Sequence, residues 1–132
     1  MRRNKIIIFI VLLFILNNTL MGCTYGSYIT IKSKENNTRT SMAMSYEKFN
    51  GHKSRTIALE DGETCEISVD ITSVSGKLNL SITDKEKNSY YERKDMPTST
   101  FKISLDKPGE YIITMEGENH KGSYESVFEY SK

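Results

Sequence analysis

In run after run between residues 28 and 130, apolar and polar side chains take turns along the chain. Met42, Met44 and Tyr46 alternate with Ala43, Ser45 and Glu47; Cys65, Ile67, Val69 and Ile71 alternate with Glu66, Ser68 and Asp70. The same rhythm sets Leu78, Leu80 and Ile82 between Lys77, Asn79, Ser81 and Thr83, and continues through Phe101, Ile103 and Leu105 and through Tyr111, Ile113 and Met115. A period of two sends successive side chains to opposite faces, so each run predicts a strand with one buried face. No window of this region holds a sustained 3.6-residue apolar stripe, and no helix is predicted.

Punctuation between the runs supports the same reading. Asn50-Gly51 suits the positive φ angles of a type I′ hairpin turn, and Asp61-Gly62 suits a second hairpin turn. Ser75-Gly76 breaks the chain before Leu78, residues 84–88 read as a charged turn, and residues 117–122 read as a loop. Lys107-Pro108-Gly109-Glu110 fits a type II turn. Strands are predicted at 28–31, 42–47, 54–59, 64–71, 77–83, 89–93, 101–105, 111–115 and 124–130, with polar residues 35–38 as a loop. About eight or nine short strands separated by turns imply an all-β protein: an antiparallel, jelly-roll-like β-sandwich, or else a barrel, which patterning does not separate from it.

The N-terminus is different in kind. Arg2, Arg3 and Lys5 precede an uninterrupted apolar run over residues 6–16, which Asn17-Asn18-Thr19 closes. A span of the bilayer core needs about 20 apolar residues, so this run has the length of a secretory signal rather than of a lasting anchor. Leu20-Met21-Gly22-Cys23 follows, and it resembles the lipobox of bacterial lipoproteins. That resemblance implies cleavage between Gly22 and Cys23, with a diacylglyceryl group on the Cys23 thiol and a further acyl chain on its amine. Two or more chains hold a protein at a bilayer where a single chain binds reversibly. The expected organisation is a signal peptide over 1–22, a lipid-anchored tether with a first strand over 23–34, and a sandwich domain over 35–132. The expected address is the outer, extracytoplasmic face of the cell membrane.

Charge narrows the partners. Removing the three leader cations from the 18 basic residues leaves 15 against 17 acidic ones, a balance with no footprint for nucleic acid. With Cys23 lipidated, Cys65 is the remaining thiol and no intrachain disulfide can form. The alternation puts Cys65 on the inner strand face, where cysteine behaves as a small hydrophobe.

From residue 55 to residue 130 the order of elements is similar to the pre-peptidase C-terminal domains of secreted bacterial proteins. The matching positions are Gly76, Leu78, Leu80, Ile82 and Asp84, then Gly109, Tyr111 and Ile113, then Gly122 and Tyr124. The resemblance implies a jelly-roll-like sandwich of the kind that rides beside hydrolases, where some members bind collagen, polysaccharide or calcium. No hydrolase accompanies the domain in this chain, and the acidic calcium cluster of the collagen-binding members has no counterpart.

Candidate chemistry is sparse. There is no H-E-x-x-H, G-x-S-x-G, paired C-x-x-C or phosphate-binding glycine loop, and His52 and His120 are both expected in solvated loops, so a non-enzyme is expected. Asp84, Glu86 and Asn88 alternate like the start of a calcium loop, but Lys85 and Lys87 intervene and a charged turn is the simpler reading; no metal or other cofactor is expected beyond the covalent lipid. Tyr90 and Tyr91 are adjacent in a predicted strand, so their rings face opposite ways and one stays outside the core. These two form the candidate ligand surface. The expectation is a membrane-anchored surface module that contacts a protein, peptide or glycan; the alternative is a structural envelope lipoprotein, or one of immunity type, without a small-molecule ligand.

Overall fold

The computed structural model describes residues 24–132. They form β1 (Thr24–Tyr25), β2 (Tyr28–Ile31), β3 (Lys34–Thr38), β4 (Ser41–Leu59), β5 (Thr64–Asp84), β6 (Ser89–Arg93), β7 (Ser99–Leu105) and β8 (Gly109–Ser131). Every pairing is antiparallel, and β8 lies at the centre between β4 and β5. β1, β2 and β3 follow one another along the free edge of β4, while β7 and β6 share the free edge of β5.

β4, β5 and β8 contain 19, 21 and 23 residues. Straight strands of that length would reach roughly 60–75 Å, too long for a domain of this size. They are creased instead. The β4–β8 register slips between Tyr46 and Gly51, and the β5–β8 register slips between Ser73 and Lys77. Both slips lie against residues 117–122 of β8, so the bulges line up across the three central strands and fold the sheet double.

Side-chain contacts prove the folding. The Phe128 N–H donates to the Thr40 carbonyl at 2.8 Å, which places Phe128 beside the start of β4. Arg55 lies about 15 residues farther along that strand, roughly 50 Å away were β4 straight. Its guanidinium carbon nevertheless sits 5.3 Å from the centre of the Phe128 ring. The result is an antiparallel β-sandwich. One layer holds β3, β7 and the segments of β4, β5 and β8 that pair with them; the other holds β1, β2, β6 and the remaining segments.

The alternation read from the sequence fills the space between the layers. Met42, Met44, Ile67, Val69, Ile71, Leu105 and Phe128 of the first layer are buried with Ile57, Leu78, Leu80, Ile82, Ile113 and Met115 of the second. Each such side chain contributes about 1.5–3 kcal/mol by leaving water. Cys65 belongs to this core, as its strand pattern predicts, and burial pushes its thiol up to about 11, with Glu63 adding to the shift.

Several expected turns prove to be something else. Asn50-Gly51, Ser75-Gly76 and residues 117–122 lie inside β4, β5 and β8, at the crease. Residue types that close a hairpin also permit a bulge, and here the neighbouring strand continues past them. Asn50 reaches across the crease instead: its Nδ2 donates to Asn119 Oδ1 at 3.0 Å, and its Oδ1 accepts from the Asn119 backbone N–H at 2.8 Å. Gly122 has φ 147°, and a Cβ there would run into the Thr72 carbonyl of the adjoining strand. Polar residues 35–38 pair as β3 rather than looping out, and Thr24 and Tyr25, within the expected tether, pair with Arg55 and Ser54. Asp61-Gly62 does turn, with the Glu63 N–H on the Glu60 carbonyl at 3.0 Å, and β6 covers the expected 89–93. The Gly22–Cys23 cut and the Cys23 lipidation position lie outside the described residues.

Candidate functional site

The two candidate tyrosines separate at a bulge. Ile82 pairs with Tyr91 and Thr83 with Ser89, which leaves Tyr90 as the extra residue of β6. Tyr91 turns inward, stacks on Phe101 with centroids 6.4 Å apart and packs against the core. Arg93, next on the same face, places its guanidinium 4.4 Å from the Phe101 ring centre. These contacts close the β6–β7 side of the sandwich. Tyr90, as the extra residue of the bulge, stays outside the core. Its ring is 43% exposed and leans edge-on against Tyr111 at 5.4 Å.

Tyr90 stands in an open groove of ≈ 470 Å³ between the β5–β6 turn and the β7–β8 connection, lined also by Asp84, Lys85, Glu86, Asn88, Lys107, Pro108 and Glu110. Both walls are fixed by hydrogen bonds. Asp84 Oδ1 accepts from the backbone N–H groups of Glu86 at 2.9 Å and Asn88 at 2.8 Å, and Oδ2 accepts from Asn88 Nδ2 at 3.0 Å. The Asn88 side chain and backbone, with the Glu86 N–H, hold the Asp84 carboxyl below its usual range. On the other wall the buried Tyr111 donates its hydroxyl hydrogen to the Lys107 carbonyl at 2.8 Å, and burial raises its pKa. Lys85 and Glu110 join the walls through an ion pair of 3.2 Å.

Asp84 spends its oxygens on the turn, and Asn88 aims its amide hydrogens at Asp84 where a cation would need an oxygen. Among the described residues, no group of three or more His, Cys, Asp or Glu side chains gathers as a metal site. What the groove offers is an aromatic ring beside the Glu86 carboxylate and the Lys107 ammonium.

A second concavity of ≈ 370 Å³ lies on the outer face of the first layer, with Ala43, Ser45 and Ser123 in its floor and Lys34, Asp70 and Glu125 around it. Asp70 and Glu125 are directly opposite in the β5–β8 register, a pairing of like charges that costs stability. Tyr124 borders this concavity, but its side chain is buried in the core.

Sequence reasoning missed His120. It is fully buried at the crease, where its Nδ1 shares a hydrogen with the Tyr46 hydroxyl at 2.6 Å and its Nε2 with the Ser73 hydroxyl at 3.0 Å. The Tyr46 ring lies edge-on to the histidine at 5.5 Å and packs in turn on Phe49 at 5.1 Å, which lies 6.3 Å from Tyr124. Burial lowers the His120 pKa and raises that of Tyr46. The cluster ties β8 to β4 and β5 where the sheet folds. His52, by contrast, is exposed as expected. Only the glycines at 117 and 122 flagged the neighbourhood of His120, and they read as a loop.

The sandwich also encloses charge. Lys53 is buried on β4, paired with Glu35 of β3 at 2.5 Å, and its ammonium lies 4.2 Å from the centre of the Tyr28 ring. Burial raises the Glu35 pKa, but hydrogen bonds from Lys53, Asn37 and Tyr28 and the Lys53 charge outweigh it and leave the carboxyl low. This pair bridges the layers along the β1–β3 edge.

The chain matches no protein family and no curated protein. Similar solved structures include the enzymatically active domain of tailspike protein 4 from bacteriophage CBA120, at 13% identity and TM-score 0.47, with 82% of this chain and 19% of that one covered. A CBM4 structure aligns at 16% identity and TM-score 0.47, covering 85% of this chain and 79% of that one. TmCBM61, solved in complex with beta-1,4-galactotriose, aligns at 12% identity and TM-score 0.42, covering 87% and 92%.

Proposed function

We propose that this protein is a lipid-anchored, extracytoplasmic binding module without catalytic activity, and that Tyr90 is its ligand-contacting residue. The observation that carries this reading is the exposed Tyr90 ring, supported from below by Tyr111 and standing in a groove whose two walls are locked. A ring so placed adds little to the core, yet it presents an apolar face at small entropic cost. Glu86 and Lys107 beside it suit hydroxyl or backbone polar groups. The ligand class is therefore a glycan or a peptide segment of a partner in the envelope, with an apolar face to lie on the ring. The lipid on Cys23 keeps the module at the membrane; the groove makes the contact.

The test is retention of envelope material. The lipidated protein, immobilised in detergent, is exposed to solubilised cell-wall glycans and envelope peptides, and the Tyr90→Ala variant is run beside it. Loss of about 1 kcal/mol or more of binding, roughly fivefold to tenfold in affinity, is expected in the variant. Equal retention by the two proteins refutes the assignment of Tyr90.

A further inference from the structure

The β1–β2 edge bears an apolar face that no other part of the described chain covers. Tyr25 is 47% exposed, Ile29 76% and Ile31 48%. Strand alternation explains why they share a side. Tyr28 points inward against Phe49 and Lys53, so Ile29 and Ile31 point outward, across from Asn50 and Lys48 of β4. Tyr25 pairs with Ser54, whose neighbours Lys53 and Arg55 face inward, so its ring is outward as well. Lys48 lies across from Ile31, and Lys32 follows Ile31 in the chain, ion-paired with Glu47 at 3.6 Å.

This face begins at the point where the anchor joins. Thr24 pairs with Arg55, and its Oγ1 accepts from the buried guanidinium, 2.9 Å from Nη2 and 3.3 Å from Nε. Cys23 is linked to Thr24 by one peptide unit, about 3.8 Å between Cα atoms. The chain is thus fixed to the folded sheet one residue after the expected lipid. A domain held that closely cannot tumble freely above the bilayer.

We infer that the β1–β2 edge docks on the membrane surface, with Tyr25, Ile29 and Ile31 in the headgroup and upper acyl region and Lys48 among anionic headgroups. The inference rests on the lipid-anchored reading above and adds an orientation to it. An aromatic and two branched aliphatic side chains beside a cation are the chemistry of an interfacial contact. The order β1–β4–β8–β5–β6 then sets the Tyr90 groove at the opposite edge, four strand spacings away, or roughly 19 Å. The membrane contact and the ligand groove lie at opposite edges of that layer.

The chain contains no tryptophan, which makes a direct test available. Ile29→Trp and, separately, Tyr90→Trp are introduced into the full chain, and the processed lipoprotein is reconstituted into phosphatidylglycerol–phosphatidylethanolamine vesicles carrying dibrominated acyl chains. Bromine quenches only a ring that enters the bilayer. The inference predicts that Ile29→Trp loses about half or more of its emission and shifts to the blue, while Tyr90→Trp keeps its emission. Ile29 is largely exposed, so the substitution leaves the fold intact, which circular dichroism verifies. If the protein floats with the vesicles and both variants stay bright, anchoring stands and docking is refuted. If the protein carries no lipid and does not float, the anchored reading fails and takes the docking with it.

Discussion

The crease can be tested at Gly122. Its φ of 147° lies where L side chains rarely go, and an added Cβ would press on the Thr72 carbonyl and come within 3.2 Å of His120 Cε1. The first contact is with backbone, and Thr72 lies in β5, whose ladder to β8 would have to shift. Strain of about 1–3 kcal/mol from the backbone conformation combines with about 1–3 kcal/mol from overpacking, so Gly122→Ala should cost roughly 2–6 kcal/mol. Gly62→Ala is the control. Its φ is 78°, also positive, but nothing lies within 4 Å of the new Cβ. There the cost of a left-handed alanine, about 1–2 kcal/mol, is partly offset by a stiffer unfolded chain. Equilibrium urea unfolding of the domain beginning at Thr24, followed by tyrosine fluorescence and circular dichroism, reads both. With slopes of about 1–3 kcal/mol/M, the Gly122 variant should lose roughly 1 M or more of its midpoint and the Gly62 variant less than half of that. Equal shifts would refute the claim that the strands pack backbone to backbone at the crease.

Further outcomes follow from other parts of the molecule. Cys65, with its thiol near 11, is about one part in 3,000 thiolate at pH 7.5 against about one in ten for an ordinary thiol, so a thiol reagent should label it several hundred times faster after denaturation; fast native labelling would contradict its burial. His120 has its pKa lowered by burial from an unfolded value of about 6.5, so its contribution is complete above that pH and is lost as pH falls toward the folded value. Urea midpoints measured from pH 7 down to pH 5 should fall in the wild type and fall less in His120→Asn; parallel curves would show that the histidine titrates normally. Replacing Cys23 with Ala should abolish acyl labelling and leave an unprocessed precursor, and unchanged labelling would sink the lipobox reading.

The sequence showed most of the core because, on either side of the crease, the inward positions of the three long strands are largely apolar with a period of two; Lys53 and Arg55, inward on β4, and His120 on β8 are the buried exceptions it did not announce. It concealed the crease. Asn50-Gly51, Ser75-Gly76 and the 117–122 segment are turn-like when read locally, and only pairing across β4, β8 and β5 makes them one feature of three unbroken strands. β3 was hidden for a different reason: all five of its residues are polar and exposed, and it is held at the edge by its pairing with β4 and by the Glu35 ion pair with the buried Lys53. Of the site, the sequence placed Tyr90 and Tyr91 side by side in a strand. It did not show the bulge, which makes Tyr90 the extra residue of β6 and leaves it, rather than Tyr91, outside the core. His120 was illegible because its partners, Tyr46 and Ser73, are distant in sequence and meet only when the sheet folds.

The central claim is that the Tyr90 groove is the working surface. Once a glycan or peptide has been recovered on the immobilised protein, its titration into the isotope-labelled domain, followed by amide chemical shifts, tests that claim most directly. The account predicts shifts concentrated at residues 84–90 and 107–111, abolished in Tyr90→Ala and retained in an Asp70→Asn variant of the second concavity. Shifts concentrated instead around residues 43–45, 70–72 and 123–125 would contradict it and move the site to the outer face of the first layer.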